Sequence, residues 1–181
     1  MNLRPQGELP RSQTIKKTAI YGAMIFLISI AQCSFLANLT FLKITPNVVI
    51  GAIAAVALFE NERVTTVYAI ASGFVLDAVG GSGILVSPLV FLIISVLLSL
   101  ISSKILGSFF PYTLLLLVAS ALSGLSTYLR LILAGSLPEY SFLFGKLLLP
   151  EFISTFVLSL PLYPIFKLAA RLCESKGKFK M

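Results

Sequence analysis

Apolar residues run through this chain in long blocks separated by short polar interruptions, instead of recurring at the spacing of a surface helix. The blocks predict six helical spans over residues 18–37, 46–59, 64–80, 85–104, 111–134 and 150–168, the second the shortest and the third the most polar. Helix punctuation agrees with several of these starts. Thr45 is a candidate N-cap before Pro46, and Pro111 and Pro150 can each stand in a first turn, where no amide bond is lost. Near the end of the sixth span, Pro161 and Pro164 in "LPLYPIFK" predict a kink and carbonyls that neighbours must satisfy.

Composition fixes the class. The 181 residues are 57% hydrophobic and 12% charged, with a mean hydropathy of +0.99, far from a soluble domain. The expected fold is therefore an all-α polytopic membrane protein. The distribution of basic residues then orients it. With the N-terminus inside and six spans, Arg4, Arg11, Lys16, Lys17, Arg63, Lys104, Lys167, Arg171, Lys176, Lys178 and Lys180 fall on the cytoplasmic side, leaving Lys43 and Lys146 outside. Removing the polar third span would send the basic C-terminal tail outward. The expected organisation is thus a cytoplasmic tail at 1–17, a six-helix domain at 18–168 and a cytoplasmic tail at 169–181, in the cytoplasmic membrane.

The net charge of +7 needs no nucleic-acid partner, because orientation and anionic membrane lipid account for it. The first apolar segment is too long for a secretory h-region and lacks an A-x-A site; in "IAQC", Gln32 stands where a lipoprotein box wants a small residue. It reads as a retained anchor. Cys33 and Cys173 fall on opposite sides and cannot pair within one chain.

Enzyme chemistry is poorly served. Histidine is absent, and the chain shows no metal-ligand cluster, Gly-x-Ser-x-Gly or phosphate loop, so no catalytic residue, metal or cofactor is expected. Gly80, Gly81 and Gly83 in "GGSG" read as a turn between the third and fourth spans. Glu60 and Glu62, in "ENER", read as solvated turn residues.

Asp77 in "SGFVLDAVGGSG" is the conspicuous exception, a carboxylate about 20 Å into its span at 1.5 Å per residue. A charge at the bilayer centre costs about 2.5–3.5 kcal/mol even on the lenient insertion scale, so a partner, a proton or interfacial water is expected there. Arg130, in the outer part of the fifth span, is the candidate partner. Glu151 opens the sixth span, where it can favour the helix dipole or flank Arg130. Small residues four apart, Ala69 with Gly73 and Ser120 with Gly124, suggest close helix packing. In "GSLPEYSFLFGK", Ser136 and Glu139 match a capping box, and Tyr140, Phe142 and Phe144 suit either the headgroup region or an outer partner surface.

The succession from "TPNVVIGAIAAVALFE" to "ASGFVLDAVGGSGIL" resembles the bacterial rod shape-determining protein MreD family. That family's second span starts near Pro, and its third carries a G-x-x-x-D-x-x-x-G-like pattern; Gly73, Asp77 and Gly81 carry the match, with Phe74 beside them. The resemblance implies a non-enzymatic subunit of the cell-wall elongation machinery that binds the bitopic protein MreC and, through it, a glycosyltransferase and a class B penicillin-binding protein. It also implies a fold similar to the substrate-binding subunits of energy-coupling-factor vitamin transporters. A second expectation follows: a small-molecule transport subunit with an outward pocket around Asp77, Arg130 and Glu151.

Overall fold

A computed structural model of the chain describes residues 11–34, 46–80, 85–102, 109–133, 135 and 143–175. The described residues are all-helical: α1 (Arg11–Ser34), α2 (Val48–Phe59), α3 (Glu62–Val79), α4 (Ser87–Ser102), α5 (Phe109–Leu133), a π-helical turn (Leu143–Leu148), α6 (Leu149–Ser159) and α7 (Leu162–Ser175). Among the described residues, three segments, Ile15–Ser34, Phe109–Leu133 and Leu143–Leu172, are long and apolar enough to cross a membrane, and α2 and α4 are shorter apolar helices. This is the make-up of an α-helical membrane protein.

The shortest helix occupies the centre. All but the last of the twelve residues of α2 are buried, and α2 packs against every other helix. Its sequence, VVIGAIAAVALF, explains this position. It carries no polar side chain that would need water, and its Gly and Ala residues let neighbours approach. A Cβ on Gly51 would lie 2.3 Å from Ser159 Cβ, so α6 is seated directly against α2 at that point. At about 18 Å, α2 is shorter than the hydrocarbon thickness of a bilayer, so both of its ends lie among side chains that must satisfy them.

Those side chains come from α1, α6 and α7. Gln32 donates to the Pro46 carbonyl and accepts the Val48 N–H at 2.9 Å, while the Asn47 N–H donates to Thr155 Oγ1 at 2.9 Å. At the other end, Lys17 donates to the Phe59 carbonyl at 3.2 Å and pairs with Glu60 at 3.0 Å. Tyr163 stacks on Phe59. These contacts define two ends of the bundle, one holding Lys17 and Glu60, the other Gln32 and the start of α2.

At three places the structure adds to the reading of the sequence. Residues 11–17 form the first turns of α1, and Lys17 is buried; its ammonium has found a carboxylate. Glu60 is not a solvated turn residue, since its side chain is 11% exposed and ion-paired, whereas Glu62 is exposed. The last apolar segment begins earlier than residue 150, at the π-helical turn, and it divides at Leu160–Pro161 into two helices, as expected of Pro161, which has no N–H to continue the ladder. Gly135 takes φ +67° beyond α5, with its N–H bonded to the Ile132 carbonyl, a left-handed stop that glycine accepts without steric cost.

Candidate functional site

The most extensive helix pair is α3 with α4, and Gly73 makes it possible. A Cβ there would lie 2.6 Å from Pro88 N and 2.7 Å from Pro88 Cα, so even alanine would collide with the α4 backbone. One turn further along α3, on the same face, stands Asp77. Its Oδ2 accepts the Ser87 N–H at 2.8 Å. A carboxylate from one helix therefore caps the start of another, satisfying an amide that has no intrahelical partner and opposing the positive end of the α4 dipole. Pro88, next in sequence, has no N–H to satisfy.

The charge of this cap is balanced from α5. Arg130 Nη2 donates to Asp77 Oδ1 at 2.5 Å and also to the Ser87 hydroxyl. The Asp77 side chain is fully buried, whereas that of Arg130 is 37% exposed. The pair is thus asymmetric: the anion is enclosed and the cation's side chain is partly exposed.

Glu151 lies in the first turn of α6 and is buried. Its Oε1 accepts the Thr127 hydroxyl at 3.0 Å; no ion pair joins it to Arg130. Thr127 is three residues before Arg130 on α5, so one stretch of that helix serves both carboxylates. Together with Gln32 and the Asn47 backbone amide, these groups form a polar layer at one end of the bundle, joined by bonds that run between elements. Its geometry caps the start of α4, balances the Asp77 charge and ties α5 to α6. Among the described residues no group of His, Cys, Asp or Glu could hold a metal ion.

Ala69 and Ser120 are buried in α3 and α5. Gly124 packs on a side chain, not on a backbone: its Cβ would meet Leu148 Cδ2 at 3.2 Å. Ser120, Gly124 and Phe144 instead share a groove of about 700 Å³ between α5, the π-helical turn and α6, with Leu125, Tyr128 and Phe152 also on its walls. Phe144 is 62% exposed. The groove is apolar and open, and a second apolar hollow, of about 410 Å³, lies along the outer side of α6 at Ile153 and Val157. Neither is lined by Asp77, Arg130 or Glu151. Gly80 ends α3 in right-handed helical geometry, with its N–H on the Leu76 carbonyl. Gly81, Gly83, Ser136, Glu139, Tyr140 and Phe142 lie outside the described residues.

Sequence reasoning missed the Lys17–Glu60 pair, the Gln32 bridge and the capping of α4 by Asp77. Gln32 and Lys17 are polar residues at the margins of an apolar run, which was the available signal. Compared with known proteins, the chain matches no family model, no curated protein and no solved structure.

Proposed function

We propose that this chain is a non-catalytic, multi-pass subunit of the bacterial cytoplasmic membrane that serves the cell-shape and cell-wall elongation machinery by receiving the transmembrane helix of an MreC-like bitopic protein. A glycosyltransferase and a class B penicillin-binding protein are its indirect partners. In this reading the chain crosses six times with both termini cytoplasmic, placing the Asp77 end outward.

The observation that supports it best is the open groove beside Ser120 and Gly124. Helices associate in lipid through close packing at small residues, and this groove offers two of them at its base with aromatic walls. The Asp77–Arg130 lock, which ties α3, α4 and α5 together, keeps that α5 wall in place. The competing transport reading calls for a solute pocket around Asp77, Arg130 and Glu151. The hydrogen bonds of all three side chains are directed at neighbouring helices, which favours the scaffold.

Purification from membranes with mass spectrometry of what is retained separates the two readings. Under the scaffold reading a bitopic cell-wall protein co-purifies and is lost in Gly124→Leu, which fills the groove. Retention of a vitamin-sized molecule without such a protein rejects it. The orientation is tested separately: a Cys placed at position 178 is shielded from impermeant reagents applied to intact cells, and labelling there refutes the topology.

A further inference from the structure

The last helix, α7, is three-sided. Leu162, Tyr163, Phe166 and Ala170 form its buried face. Ile165, Leu168 and Leu172, spaced i, i+3, i+7, form an apolar stripe exposed by 50%, 59% and 58%. At about 100° per residue, Lys167 and Arg171 fall between these two faces, one turn apart.

Ring contacts fix where this helix sits. Tyr163 stacks on Phe59, the last residue of α2, and meets Phe109, the first residue of α5, edge-on with centroids 5.4 Å apart. Tyr21 of α1 packs on Phe166 at 5.7 Å. The helix therefore begins at the level where other helices end, on the Lys17 side of the bundle, after the break at Pro161. A helix at that depth with an apolar stripe beside a basic stripe has the build of an interfacial element. Lys167 is already aimed: its ammonium donates to the Tyr163 hydroxyl at 3.2 Å and lies 5.1 Å from that ring. An ammonium has three donors, so this bond orients the group and leaves donors for an anion.

We propose that α7 is an anionic-phospholipid site, in which Lys167 and Arg171 hold headgroup phosphates while Ile165, Leu168 and Leu172 enter the acyl chains of the same leaflet. Charge complementarity selects the occupant. Two cations flank an apolar stripe, and an anionic phospholipid offers a phosphate joined to hydrocarbon. The site is remote from the α5 groove and stands whether or not the proposed partner binds there.

Native mass spectrometry of the full chain, released from nanodiscs of phosphatidylglycerol or of phosphatidylcholine, tests it. Each basic residue near an anionic surface contributes about 1 kcal/mol, or about fivefold in affinity. Arg171→Gln is expected to lower phosphatidylglycerol retention about fivefold and Lys167→Gln/Arg171→Gln about 25-fold. Arg171→Lys retains it. Arg63, an exposed arginine at the start of α3 whose charge is offset at the surface by the adjoining exposed Glu62, supplies the control: Arg63→Gln leaves retention within twofold. Millimolar inorganic phosphate does not displace the lipid, because the stripe contributes as well as the cations. Equal losses in Arg63→Gln and Arg171→Gln, equal retention of phosphatidylcholine, or displacement by free phosphate overturns the proposal. Matching melting temperatures in neutral detergent exclude misfolding as the cause of a loss, and should the double variant not fold, the comparison of Arg171→Gln with Arg171→Lys decides.

Discussion

Arg130 reaches from the last turn of α5 to the carboxylate of Asp77 on α3, 2.5 Å away, and the two ends of this contact are not equally enclosed. Breaking a buried pair costs about 3–5 kcal/mol when a charge is left behind. The cost depends on which charge remains. Arg130→Gln strands a fully buried carboxylate, whereas Asp77→Asn leaves a partly exposed guanidinium whose stem can turn it toward water. Arg130→Gln is expected to destabilise more than Asp77→Asn, and the double variant to recover part of the loss. Melting temperatures in detergent, combined as a double-mutant cycle, measure this; strictly additive losses would falsify the coupling.

Gly73 and Gly124 are both small-residue positions, yet the structure separates them. A methyl at Gly73 meets Pro88 backbone, which cannot move without displacing α4, while a methyl at Gly124 meets the end of the Leu148 side chain, which can rotate. Gly73→Ala therefore lowers stability by about 1–3 kcal/mol, in the range of overpacking, and Gly124→Ala by less than about 1 kcal/mol. Equal melting temperatures for the two variants contradict this account.

Glu151 is buried against a hydroxyl, and among the described residues no cation lies within ion-pair distance of it. What Thr127 requires is an acceptor, and Gln supplies one of the same shape. Glu151→Gln is expected to fold with stability close to the parent. Thr127→Val removes the donor and leaves a buried acceptor, at a cost of about 1–3 kcal/mol. A loss in Glu151→Gln exceeding that in Thr127→Val shows that the negative charge itself matters.

Gln32 satisfies a carbonyl and an amide where the chain enters α2. Gln32→Leu leaves both groups unpaired in a buried setting, at about 1–3 kcal/mol each, whereas Gln32→Glu retains an acceptor for Val48. Hydrogen exchange at the Val48 amide is expected to accelerate strongly in Gln32→Leu and modestly in Gln32→Glu. Equal protection in both variants assigns the capping of α2 to some other group.

Hydropathy and local helix rules determined the class of this protein, because an apolar run long enough to span a bilayer must close its backbone hydrogen bonds within the helix wherever it sits. They also marked Asp77 as costly and Gly73 as a packing position, since each is exceptional among its immediate neighbours in sequence. The tertiary structure decided what the polar groups do. Nothing local to Asp77 says that its second oxygen caps α4, and nothing local to Lys17 says that Glu60, 43 positions away, will meet it. Such partners depend on which helix ends come together, and that is set by burying α2 on all sides. The break before α7 was legible in Pro161; its place beside Phe59 and Phe109 was not, because ring contacts between three helices exist only once the bundle has closed.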